Sequence, residues 1–126
     1  MRSVITYLKV GGGYDYIILD MDFSLEKSEI EVLKECNQIV LVNDGSPTSN
    51  TKLERVLESL RILEEQNDWK ILIRCNILYN RFSSKTSEKM EIADVKELGG
   101  IKRFEGYSVE LLIQQLAETG VFDGLM

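Results

Sequence analysis

Tyr14-Asp15-Tyr16-Ile17-Ile18-Leu19-Asp20-Met21-Asp22 is the stretch whose reading decides the fold. Its aromatic and β-branched residues run on with little alternation and end on two carboxylates. A short continuous run of this kind predicts a strand buried on both faces. In a parallel α/β sheet, ligands and metals gather at the carboxyl ends of such strands. Asp20 and Asp22 are therefore candidate Mg²⁺ ligands, direct or through water, because a hard cation takes oxygen ligands and keeps part of its hydration shell. The competing reading is that the two acids only end the strand and open a turn.

Working outward, Val4, Ile5 and Leu8 lie at helical spacing and predict a helix over residues 3–10. Gly11-Gly12-Gly13 ends it as a helix-to-strand turn. A phosphate loop is excluded there, since glycines would have to follow a strand and lead through Gly-Lys-Ser or Gly-Lys-Thr into a helix. Downstream, a helix is predicted over 28–36, capped by Ser28 with Glu31. A second continuous apolar strand follows over 38–42. Asn43 to Asn50 reads as a loop, and Thr51 with Glu54 as the cap of a helix bearing Leu53, Val56, Leu57, Leu60 and Leu63 on one face. A third strand is expected over 69–79, bent or broken near Arg74 to Asn76. A loop over 81–87, a helix over 91–98 stopped by Gly99-Gly100, and a short fourth strand over 101–104 come next. Ser108 caps the last helix, which ends at Gly120.

This alternation predicts one α/β domain over residues 1–126, built on a mostly parallel sheet. The loops after successive strands then share one edge, the default position of a site. Asn43, Asp44 and Asn80 on that edge could hydrogen-bond a polar ring or a hydroxyl.

The 126 residues fit a single domain, and the charge of −6 argues against broad binding to nucleic acid or anionic membrane. The sequence has no histidine, which excludes His-based acid–base chemistry and His-ligated zinc. Cys36 and Cys75 form neither a disulfide framework nor a metal quartet and read as small buried apolar residues. No apolar stretch approaches bilayer length, and residues 1–3 do not resemble the start of a signal peptide, so the expected location is the cytoplasm.

The segments, taken in order, resemble the ParA/MinD superfamily of P-loop ATPases. Tyr14 to Asp20 is similar to that family's Walker B strand, Cys36 to Asn43 to its next strand, and Thr51 to Glu65 to its long amphipathic helix. The strand ending in Asn80-Arg81-Phe82 is similar to the family strand ending in Asn-Arg, and Gly100 to Tyr107 to a later family segment. The closing helix with Val121-Phe122 best resembles the CpaE-like branch, bacterial ATPases of pilus assembly and localisation. The resemblance implies a three-layer, Rossmann-like P-loop NTPase fold that is incomplete, the chain matching only the C-terminal portion of the ATPase domain. It also implies ATP and Mg²⁺ as cofactors of the complete domain. Asp20 would be the Walker B acid, with Asp22 beside it. Asn80 would contact adenine, next to Arg81, and the loop of Asn43 and Asp44 would lie near the nucleotide.

The Walker A loop with its lysines and the switch I aspartate are missing, and Met21-Asp22-Phe23 replaces the usual proline-containing segment. The chain alone is thus expected not to hydrolyse ATP, for want of a phosphate cradle. The last helix carries Glu110 and Glu118 and no basic residue, unlike a basic membrane anchor. Expected partners are the missing N-terminal half, a second copy, or another protein. Two other classes fit parts of the pattern. One is a receiver-like signalling domain with Asp20 as phosphoacceptor, although no acid precedes residue 14 to complete its Mg²⁺ site. The other is a non-catalytic interaction module that pairs through open strand edges.

Overall fold

The computed structural model describes residues 2–82, 87–92, 94–101 and 108–125. It divides into two compact units, Met1–Asn37 and Gln38–Met126.

The smaller unit holds α1 (Arg2–Gly11) and α2 (Lys27–Glu35). α1 forms where the apolar spacing predicts it and stops at the triple glycine. Gly12 N–H donates to Leu8 O at 3.2 Å, and Gly13 takes a left-handed φ of +63°. α2 buries Ile30, Val32 and Leu33. The expected Ser28–Glu31 capping box is absent, because the helix starts earlier, after Glu26. Ser24 serves this end instead: its hydroxyl donates to the Glu29 carboxylate and accepts from Glu26 N–H at 3.3 Å. At the other end Lys9 Nζ donates to Glu35 O at 2.9 Å, placing a cation where helix carbonyls lack partners.

The strand expected over residues 14–22 does not form. These residues are neither helix nor ladder strand. Tyr14, Tyr16 and Ile18 are exposed, at 64%, 68% and 89%, while Ile17 and Leu19 are half-buried. A strand is a paired state, and an apolar pattern without a neighbouring ladder has nothing to satisfy its backbone groups except water. Asp20 and Asp22 are accordingly exposed on irregular backbone, not at the end of a strand.

The larger unit contains β1 (Ile39–Asn43), α3 (Pro47–Asn67), a 3₁₀ turn at Leu72–Arg74, β2 (Cys75–Asn80), β3 (Lys96–Ile101) and α4 (Val109–Thr119). A second 3₁₀ turn covers Asp123–Leu125. The sheet order is β1-β2-β3 and both pairs are parallel. The fold is α/β, a three-stranded parallel sheet flanked by helices and compatible with a Rossmann-like architecture. β2 is the central strand and is buried from Cys75 to Tyr79. Leu57 and Leu60 of α3, with Ile71, Cys75 and Tyr79, are the most deeply buried side chains. Each such leucine is worth about 1.5–3 kcal/mol relative to exposure.

Three boundaries differ from the expected ones. α3 starts a turn earlier than the Thr51 cap implies. Ser46 is the N-cap, its Oγ accepting from Ser49 N–H at 3.3 Å, with Pro47 at the first helical position. Proline suits that place because its missing N–H would have no intrahelical partner. Thr51 instead donates its hydroxyl to Pro47 O at 2.8 Å. The strand expected over 69–79 begins only at Cys75, after the 3₁₀ turn, in line with the break expected near Arg74 to Asn76. Glu64 at the end of α3 caps that turn, its Oε1 accepting from Ile71 N–H at 2.5 Å and Leu72 N–H at 2.6 Å.

The helix expected over 91–98 is the third difference: residues 96–101 are β3, and both glycines lie inside the strand. Gly99 has φ +133°, and a Cβ there would stand 3.0 Å from Val121 Cγ1. The glycine marks close approach within a strand rather than a helix stop. Of the fourth strand expected over 101–104, Ile101 ends β3 and 102–104 lie outside the described residues. α4 follows its expected signals, Ser108 Oγ accepting from Leu111 N–H at 3.4 Å and Gly120 closing it with φ +66°.

Candidate functional site

Parallel pairing brings the carboxyl ends of β1 and β2 to one edge. Asn43 pairs with Tyr79, so Asn80 stands one residue further along β2. The sequence nominates Asn43, Asp44, Asn80 and Arg81 for this edge, and the sheet brings these two strand ends together.

The four residues divide by role. Asn43 is buried and its amide is engaged on both sides. Its Oδ1 accepts from Gly45 N–H at 3.3 Å, and its Nδ2 donates to Asn50 Oδ1 at 2.8 Å and to Met90 Sδ at 3.5 Å. It organises the turn and has little left to offer a ligand. Asp44 is exposed, and its Oδ1 accepts from Ser46 N–H at 2.8 Å. That bond, with the Ser46 hydroxyl, holds its carboxyl below the usual aspartate value of 3.8. Asn80, the last residue of the central strand, and Arg81 just past it are exposed. Arg81 has φ +57°, a left-handed conformation uncommon for a residue with a side chain.

A strap of residues 87–90 crosses the ends of β1 and β2. Ser87 Oγ donates to Asp44 O at 2.9 Å and Glu88 N–H to Gly45 O at 2.7 Å. Asn50 Nδ2 returns to Glu88 O at 2.8 Å, and Met90 N–H donates to the Tyr79 hydroxyl at 2.6 Å. Gly45 permits this closeness: with φ +77°, it could gain a Cβ only at 3.1 Å from the Phe82 ring. Phe82 packs edge-on against Tyr79 with centroids 5.4 Å apart, and Lys89 Nζ lies 5.8 Å from the Phe82 centroid. Past the strap, the edge presents an amide and a guanidinium beside a half-buried ring. Such groups can hydrogen-bond and stack on a planar polar ligand.

Asp20 and Asp22 belong to the smaller unit. Among the described residues no three Asp, Glu, Cys or His side chains gather as a metal-binding group. A concavity of about 240 Å³ along α3 is lined by Glu54, Leu57, Glu58, Arg61, Glu91 and Ile92. Its arginine lies 3.8 Å from the carboxylates of Glu58 and Asp94. Cys75 is buried, and desolvation, then the Glu64 charge, push its thiol up to about 12 against a smaller opposing effect of Arg74. Its reading as a small buried residue fits this environment. Cys36 is half-buried, with Sγ 3.4 Å from Val32 O.

Sequence reasoning missed Asn50, Tyr79 and Asn76. Asn76 is buried in β2 and its Nδ2 donates to Gln38 Oε1 at 2.9 Å and Ile39 O at 3.3 Å, tying β2 to the start of β1. The available signal was an amide inside an otherwise apolar run, which must find partners if buried.

No protein-family model matches this sequence, and no curated protein matches it either. No helix among the described residues is long and apolar enough to cross a membrane.

Proposed function

We propose that this chain is the base-recognising, C-terminal part of a ParA/MinD-like ATPase domain of the CpaE-like branch. The observation that carries the reading is the exposed Asn80–Arg81 pair at the carboxyl end of the central parallel strand. The ordered resemblance of the segments supplies the family. Asn80 offers a donor and an acceptor to the adenine edge, and Arg81 offers a planar cation beside it. Asn43 is set aside as a ligand group, because its amide is already spent on Gly45 and Asn50. Asp44 stays near the nucleotide as an exposed carboxylate.

In the complete domain Mg²⁺ would neutralise phosphate charge; Asp20 and Asp22, exposed on irregular backbone and not at a strand end, are not assigned as its ligands. The sequence contains no Gly-Lys-Ser or Gly-Lys-Thr, so this chain binds the base side of a nucleotide and does not turn ATP over. The test is amide NMR of the ¹⁵N-labelled chain titrated with adenosine and, separately, Mg²⁺-ATP. The expected result is saturable shifts at Asn80, Arg81 and 44–46, reduced by Asn80→Ala. Saturating adenosine that leaves these amides unmoved refutes the base-binding role. ATP turnover above a blank, lost in Asp20→Ala, refutes the inactivity.

A further inference from the structure

β1 and β3 are the outer strands of the sheet, and the sequence treats them differently. β3 carries exposed Lys96 and Glu97, two glycines, and a register shift opposite Ile77/Leu78. Charge, glycine and irregular register are the usual devices that stop an edge from pairing again. β1, Ile39-Val40-Leu41-Val42-Asn43, has no charge, proline or bulge, and its register with β2 is unbroken. No other strand lies on its outer side among the described residues, and Val42 is 63% exposed. One edge is guarded and the other is built like an interior strand.

We propose that β1 is a self-association edge, on which β1 of a second copy pairs antiparallel about a twofold axis at Leu41. A twofold contact requires a self-complementary surface, and this strand provides one. Centred on Leu41, the register sets Val42 against Val40 of the second copy, twice, as β-branched cross-strand pairs. Ile39 meets Asn43. Asp44, the only charge between residues 37 and 45, meets the neutral amide of Gln38, so no like charges oppose each other. The product is a continuous six-stranded sheet with the guarded β3 at both ends. The contact needs no nucleotide and stands apart from the base-binding role.

Light scattering coupled to size exclusion, over a concentration series, reads the mass of the full chain. The expected mass at high concentration is twice 14.4 kDa. Val42→Lys puts a charge on an already exposed side chain and sets it against Val40 of the second copy. It weakens dimerisation about tenfold or more, since two pairs are lost at once, while far-UV circular dichroism stays unchanged. A strictly monomeric wild-type chain overturns the proposal. So does a dimer whose dissociation constant ignores Val42→Lys in a folded variant. Should Val42→Lys unfold the chain, amide exchange of the wild type decides. Protection of residues 39–43 that rises with concentration supports the edge, and protection independent of concentration overturns it.

Discussion

Asn43→Ala is the most informative single change, because it separates a structural amide from a ligand-binding one. The truncation leaves Gly45 N–H, which is buried, without its acceptor, and Asn50 Oδ1 without its donor at 2.8 Å. An unsatisfied buried donor costs about 1–3 kcal/mol, and loss of an ordinary hydrogen bond about 0.5–1.5 kcal/mol. Asn50 is only half-buried, so water recovers part of the second loss. The expected destabilisation is about 2–4 kcal/mol. In urea, with a slope of about 2 kcal/mol/M for a domain of this size, the midpoint falls by about 1–2 M at unchanged slope. Equilibrium denaturation followed by Trp69 fluorescence and circular dichroism measures it. A change below about 0.5 kcal/mol, typical of surface substitutions, refutes the structural assignment. A variant of wild-type stability with weakened adenosine shifts would return Asn43 to the ligand set.

Gly45→Ala forces a side chain onto φ +77° and to 3.1 Å from the Phe82 ring, and lowers stability by about 1–3 kcal/mol in the same assay. Glu64→Ala removes the acceptor shared by Ile71 and Leu72 and costs about 2–3 kcal/mol, while Glu65→Ala, an exposed neighbour, serves as the near-neutral control. Asp44 has a folded-state value below 3.8, so its contribution is present above that pH and is lost as the pH falls through the lower folded value. Asp44→Asn should flatten the acid limb of a stability–pH curve there, and an unchanged limb would contradict the Ser46 hydrogen bond as its cause. Cys75, with its thiol pushed up to about 12, should resist a thiol reagent at neutral pH until the chain unfolds, whereas half-buried Cys36 reacts first. Mass spectrometry showing equal labelling of both in the native state would contradict that burial.

Local signals were legible where the deciding partner lay within a turn or two. α1, α3 and α4 followed from apolar spacing, with Gly11 and Gly120 marking the ends of α1 and α4. β1 and β2 followed from apolar runs, and the break before Cys75 from disturbed alternation. The failures have long-range causes. Residues 14–22 have a strand's composition, but composition does not say whether a neighbouring strand is there to pair with. Gly99-Gly100 looked like a helix stop because the approach of Val121, some twenty positions away, is invisible in the local sequence. Thr51 read as the cap of α3, whereas the helix starts at Pro47 with Ser46 as its N-cap. That the ends of β1 and β2 share one edge was readable from the βα order. That Asn43 is spent internally while Asn80 and Arg81 stay exposed was not, since it depends on Met90 and Gly45 converging on one amide.

The strap of residues 87–90 makes the rim of the sheet a cooperative latch. Glu88 N–H is fastened to the turn after β1, and Met90 N–H to the tyrosine that ends β2's buried run. Neither can be released for long without straining the other, because only Lys89 separates them. Their deuterium uptake should therefore follow a single opening equilibrium, with one amide serving as a clock for its companion.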